Sequence, residues 1–134
     1  MALQDQLTSA AARGDATEVE HLLRLGVDVN GVNSFGRTAL QVMMMGSTQV
    51  ARVLLDQGAE PNVPDRSTGR TPLHDAAQAG FVESVRLLVQ SGADAQARDH
   101  RNQRPVDLAT SEGHSDIVEF LETLTTERNH AALE

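Results

Sequence analysis

Apolar residues fall in a paired rhythm along the chain. Clusters with helical spacing recur: Val19, Leu22 and Leu23, then Val85, Leu88 and Val89, then Ile117, Val118 and Leu121. Offsets of three and four put each cluster on one face of an α-helix. A glycine precedes each cluster (Gly14, Gly80, Gly113), and Gly46 holds the same place in between. Upstream of the glycine lies a stretch rich in small residues, Ala10-Ala11-Ala12 or Ala76-Ala77, which suits close helix contact. The pattern predicts two short antiparallel helices per unit, turned by glycine. Thr71 is placed to cap one helix start by accepting from free backbone N–H groups, and Pro72 fits the first helical position without losing a needed donor.

The units repeat. Gly26-Val27-Asp28-Val29-Asn30, Gly58-Ala59-Glu60-Pro61-Asn62 and Gly92-Ala93-Asp94-Ala95-Gln96 follow at intervals of 32 and 34 residues. Gly36-Arg37-Thr38-Ala39-Leu40 returns after 33 residues as Gly69-Arg70-Thr71-Pro72-Leu73, and Asn102-Gln103-Arg104-Pro105-Val106 comes 33 further on. No such unit can bury its apolar face alone, so neighbours must stack. A period near 33 with Thr71-Pro72-Leu73-His74, a central glycine and a Gly-Ala-Asp ending resembles the ankyrin repeat. The resemblance implies an all-α solenoid of four stacked helix-turn-helix repeats with connecting β-turn loops. One domain is expected over residues 1–134, with repeats at about 3–32, 33–64, 65–98 and 99–124. Residues 125–134 lack apolar periodicity and are expected to fray. His74 is expected to hydrogen-bond within and between repeat turns.

One unit breaks the rhythm. Leu73 to Gly80 is seven residues, whereas Leu40 to Gly46 is six. Ala59 to Gly69 is ten, whereas Val27 to Gly36 is nine. A residue lost from the first helix of the second unit is thus regained in the following loop. The helix after Thr38 has room for one or two turns, and short helices are marginal alone. Met43 and Met44 replace the usual Ala-Ala, and Met45 follows. Successive helical residues point about 100° apart, so at least one methionine should be exposed. Methionine is flexible enough to fill an irregular gap or offer an adaptable contact.

Composition narrows the function classes. Aromatic residues make up only 2%, so the core must be built from Leu, Val and Ala in thin layers. There is no cysteine, which excludes disulfides and thiolate metal sites. The net charge of −8, with arginine as the only cationic side chain besides histidine, argues against nucleic acid. No run of about 18 apolar residues suggests a membrane span, and no basic-then-apolar leader opens the chain. His21, His100, His114 and His130 show no metal-ligand spacing, and no nucleophile elbow, P-loop or dinucleotide fingerprint occurs. These features point away from an enzyme or a cofactor and toward an intracellular soluble protein that binds another protein.

The stretch Phe35-Gly36-Arg37-Thr38-Ala39-Leu40-Gln41-Val42-Met43-Met44-Met45-Gly46 closely resembles the ankyrin-repeat inhibitors of the cyclin-D-dependent kinases, the INK-four family. That family characteristically shortens the first helix of its second repeat. Ala10-Ala11-Ala12-Arg13-Gly14, His74-Asp75-Ala76-Ala77, Gly80-Phe81 and Pro105-Val106-Asp107-Leu108-Ala109 are also similar. Four repeats look like the shorter B- or A-type members. The resemblance implies a cyclin-dependent kinase inhibitor that binds the kinase catalytic subunit, with both paralogues possible. It would distort the ATP site and the cyclin-binding helix and block passage from G1 to S phase. Candidate contact residues carried over by position are Phe35, Gln41, Met43 and Met44 in the second unit, and Asp65, Asp75, Phe81 and Glu83 in the third. Glu18 comes from the first. Asp75 also departs from the generic repeat, where the residue after the Thr-Pro-Leu-His motif is usually apolar, and it suits a partner arginine. Glu83 stands where Asp is expected. Gln78 stands where relatives have Arg, so an internal ion pair supporting the aspartates is expected to be missing. A generic ankyrin adaptor with another partner is the alternative reading; it would need neither the methionine-bearing short helix nor Asp75.

Overall fold

The computed structural model describes residues 2–133, with side chains through Thr125. Its backbone forms α1 (Leu3–Arg13), α2 (Ala16–Arg24), α3 (Ala39–Val42), α4 (Thr48–Asp56), α5 (Pro72–Ala79), α6 (Val82–Gln90), α7 (Pro105–Ser111) and α8 (Ser115–Leu133). Consecutive pairs make the four repeats. Gly14 and Gly80 close α1 and α5 in the left-handed region, at φ +76° and +88°. A side chain at Gly80 would also meet the His114 ring. At the second helices, the Asp15 carboxylate accepts from the Glu18 N–H at 3.1 Å, and the Ser47 hydroxyl from the Val50 N–H at 3.2 Å.

Burial follows the apolar rhythm. Leu7, Leu22, Leu40, Leu54, Leu73, Leu88 and Ile117 are fully buried, forming a line of branched side chains through the stack. Each such side chain contributes about 1.5–3 kcal/mol. Val19, Val85 and Leu121 are buried with them, whereas Leu23, Val89 and Val118 pack only partly against the core. The two layers stack differently. The second helices pack in an unbroken series, α2 on α4, α4 on α6 and α6 on α8. The first helices pair α1 with α3 and α5 with α7, but α3 barely touches α5. The one-turn α3 leaves a step in the layer at that junction.

The first two loops are tied across repeats by one recurring side chain. Asn30 donates to the Gly58 carbonyl at 3.0 Å and accepts from the Glu60 N–H at 2.7 Å. Asn62 does the same to Gly92 and Asp94 at the same two distances.

Thr71 and His74 form a capping box at the start of α5, as expected of Thr71. The Thr71 hydroxyl also meets His74 Nδ1 at 2.9 Å, and the Thr71 N–H donates to that same nitrogen at 3.1 Å. One expectation needs correction. The last helix continues through Leu133, past the point where apolar periodicity stops; Glu134 of the expected frayed segment lies outside the described residues.

Candidate partner-binding surface

The second repeat is the irregular one, as its residue count requires. Thr38 and Gln41 form a capping box around the single turn of α3. The Gln41 N–H donates to the Thr38 hydroxyl at 3.3 Å, and the Thr38 N–H to Gln41 Oε1 at 2.7 Å. Met43 then leaves helical geometry at φ −55°, ψ 154°. The methionines divide their roles. Met43 is buried in the core, Met45 is half-buried against it, and Met44 is 48% exposed. At least one exposed methionine was expected, and Met44 is it. The extended backbone finds partners in both neighbouring repeats. The Met44 N–H donates to the Ala11 carbonyl at 2.9 Å, and the Met45 carbonyl accepts from the Ser84 hydroxyl. The 44% exposed Phe81 ring covers Gly46 so closely that a Cβ there would lie 3.1 Å from its edge. Phe81 therefore fills the step between the second and third repeats, while the Met44 side chain lies against Gly14 of the first repeat; both show apolar surface. Phe35 stands apart on the preceding turn, 80% exposed.

The polar candidates are more committed to the fold than their sequence positions suggested. Gln41 uses both ends of its amide, since Nε2 also donates to the Val63 carbonyl of the next turn at 3.1 Å. His74 holds the matching place one repeat later, and its Nε2 lies 2.8 Å from the Gln103 carbonyl of the fourth repeat. The expectation that His74 bridges repeat turns is met. Asp65 Oδ1 accepts from the N–H groups of Ser67 and Thr68 at 2.8 and 3.3 Å, and Oδ2 from Arg37 Nε at 2.9 Å. Asn33 and Asp99 occupy equivalent places in their turns, each accepting from the N–H groups two and four residues on. Burial raises the Asp65 carboxyl, but these N–H donors and the Arg37 guanidinium outweigh it and hold it below its usual value. Glu18 is half-buried at the start of α2. Glu83 is exposed and lies 3.8 Å from Arg86, whose guanidinium sits 5.1 Å over the Phe120 ring of the fourth repeat.

Asp75 has a partner that the sequence did not reveal. Arg70 Nη2 lies 3.2 Å from Asp75 Oδ1 and donates to Gln78 Oε1 at 2.5 Å. The internal ion pair expected to be missing because of Gln78 is thus supplied from position 70, with Gln78 as its polar brace. The only available signal was the place of Arg70 directly before the Thr-Pro-Leu-His motif, where a reach of five residues onto the next helix cannot be read from spacing. Burial dominates the Asp75 carboxyl and pushes it above its usual value, against the lowering fields of Arg70 and His74. Asp65 adds a smaller raising effect. The Asp75 side chain still exposes 41% of its surface. Among the described residues, no group of three or more acidic or histidine side chains could hold a metal ion, and no helix is long and apolar enough to cross a membrane.

The family description "Ankyrin repeats (3 copies)" matches residues 7–99 and 67–129. Human cyclin-dependent kinase 4 inhibitor B is 51% identical over 119 residues, which is 89% of this chain and 86% of that one. Cyclin-dependent kinase inhibitor 2A of Monodelphis domestica is 50% identical over 117 residues, 87% of this chain and 68% of its own length. The human protein of that name is 45% identical over 133 residues, covering 97% of this chain and 85% of that one.

Proposed function

The chain belongs to the ankyrin-repeat inhibitors of cyclin-dependent kinases, and from that premise we propose that it binds the catalytic subunit of the cyclin-D-dependent kinases and holds it inactive. The observation that carries this reading is the apolar surface on either side of the extended segment of the second repeat. Met44, against Gly14 of the first repeat, and Phe81, over Gly46, are large and exposed, and Met44 stands where a regular repeat would have a close-packed alanine. Exposed apolar surface of that kind marks a partner site more often than a solvent-facing one. Phe35 on the neighbouring turn and the half-exposed Asp75 would extend the contact, one by burial of its ring and the other by pairing with an arginine. Met43, Gln41 and Asp65 would support the surface from beneath, since their side chains are buried or already bonded. Glu18 and Glu83 would meet the partner at its rim, where charges steer association more than they hold it.

Inhibition requires no chemistry from this chain. Kinase turnover needs its β3 lysine, αC glutamate and metal-binding aspartate in register. A protein that binds the misaligned state more tightly shifts the population toward it. In this reading the chain acts as a monomer in the cytoplasm and nucleus and restrains passage from G1 to S phase. A stack of four repeats has enough surface for a specific interface of roughly 1,600 Å².

The test is a binding titration against both purified kinase catalytic subunits, alone and with cyclin D. Saturable binding to the free subunit, weakened by cyclin, is the expected result. No binding to either subunit would sink the proposal. An ankyrin adaptor for another partner is the second reading, and the internal engagement of Gln41, Asp65 and Asp75 favours it. It predicts that Met44→Ala and Phe81→Ala leave kinase binding unchanged.

A further inference from the structure

We propose that Arg70 is the positioning residue of the partner site: its guanidinium, fixed between Asp75 and Gln78, holds the Asp75 carboxylate ionised and oriented for a partner cation. This rests on the kinase-binding reading above. Arg70 is anchored at its backbone and at the tip of its side chain. Its carbonyl accepts from the Asp65 N–H at 2.8 Å, and its N–H donates to the Thr68 hydroxyl at 3.2 Å. The backbone is therefore set by the turn, while the guanidinium lies across α5. Asp75 and Gln78 are three residues apart on that helix, so they are neighbours on one face. One nitrogen, Nη2, reaches both.

The contact uses only Oδ1 of Asp75 and leaves Oδ2 without a hydrogen-bond partner among the described residues. A carboxylate has lone pairs enough for two guanidinium groups. Arg70 therefore occupies one side of Asp75 and leaves the other for a second cation. Arg70 Nε is buried without a partner. An orphaned buried donor is unfavourable, and native structures contain few of them. It is what remains when the guanidinium fork is directed at Asp75 and Gln78, which is the mark of a side chain held for its charge. The groups facing Asp75 are Arg70 from the turn, His74 on its own helix and Asp65 across the turn; burial and Asp65 favour the neutral acid, and Arg70 is the largest opposing influence. A neutral acid could not pair with a cationic partner.

The test uses the full chain as wild type, Arg70→Gln, and the double variant Arg70→Gln with Gln78→Arg, which moves the cation to the other end of the same bridge. Carbon-13 NMR reads the titration of Asp75 directly, without kinase. Affinity for the kinase catalytic subunit is measured across pH. In Arg70→Gln the Asp75 midpoint should rise, affinity near neutral pH should fall about tenfold, and the acid limb of binding should move up by the same amount as the midpoint. The double variant should recover both readouts. An unmoved Asp75 midpoint, or affinity that stays or rises when Arg70 is removed, overturns the inference, the second outcome making Arg70 a competitor of the partner cation. Loss of affinity that the double variant does not recover also overturns it. Wild type that fails to bind kinase would sink the function instead, and the NMR titration would still decide whether Arg70 holds the carboxylate.

Discussion

Burial pushes the carboxyls of both Asp65 and Asp75 upward, yet they end on opposite sides of the usual value of 3.8. The difference lies in donors. Asp65 receives two backbone N–H groups and a guanidinium, whereas Asp75 receives only one arginine nitrogen. The two should therefore behave oppositely on mutation. Asp65→Ala strands the Ser67 and Thr68 donors and unpairs Arg37, so it should lower unfolding free energy by about 1–3 kcal/mol in urea. Asp75→Ala should weaken kinase binding while the helical spectrum and melting stay close to wild type; unchanged affinity would remove Asp75 from the contact. The pH dependence also differs in sign. Asp65 is lowered, so its stabilisation is present above pH 3.8 and is lost as pH falls through its folded value. Asp99, against its own burial, is held low by the Gln103 and Arg101 N–H groups and behaves alike. Asp75 is raised, so the folded state takes up its proton first and stability falls as pH rises from 3.8 through the folded value. Urea midpoints measured from pH 3 to 6 should show Asp65→Asn flattening the acid loss and Asp75→Asn removing the opposing slope. Identical curves for both variants would contradict these assignments.

At the scale of elements, the length of α3 is the feature most nearly written in the residues. A six-residue gap from Leu40 to Gly46 leaves room for one turn or two, and the helix takes one and stops at Val42. The exposure of one methionine also follows, because consecutive positions cannot share a face. Which one was not legible. It depends on Met43 turning out of the helix, which carries the Met44 N–H to Ala11 and the Met45 carbonyl to Ser84. The recurrence of Asn30 and Asn62 was visible as a motif, but its purpose was not, since tying a turn to the next repeat is a contact across about thirty residues. Arg70 was invisible for the same kind of reason, and so were the partners of Gln41 and His74, which hold the same place in their helices but reach different carbonyls, Val63 and Gln103. Two measurements follow for this element. Ser84→Ala leaves a carbonyl of the extended segment unpaired and should cost about 1 kcal/mol, read by thermal melting. Amide exchange should be faster over residues 38–46 than in any other helical segment, because one turn has little hydrogen bonding of its own. Equal protection in all four repeats would refute that.

Over the whole molecule, the stack is a chain of nearest-neighbour interfaces, so stability should vary along it. The junction of the third and fourth repeats is the most heavily tied. α5 packs directly on α7. His74 reaches Gln103, His114 reaches the Gln78 carbonyl at 3.0 Å, and the His100 ring and N–H reach Ser67 and Thr68 at 3.2 and 2.8 Å. Arg86 lies over Phe120. The junction of the second and third repeats lacks the first-helix contact, because α3 barely meets α5. It is held by α4 on α6, by Asn62, by Arg37 on Asp65 and by the Ser84 hydrogen bond. The solenoid should therefore open first at that step as denaturant rises, losing the first two repeats while the last two remain folded. Native-state hydrogen exchange of the full chain in increasing sub-denaturing urea can follow this. Amides of α1, α2 and α4 should merge into one lower-energy opening, and those of α5, α6 and α7 into a higher one. The step where Phe81 covers Gly46 would then also be the weakest interface of the stack, and a bound kinase should raise the lower opening energy toward the higher. A single opening energy shared by all helices, or protection that is greater in the first two repeats, would show that the missing helical turn does not divide the stack.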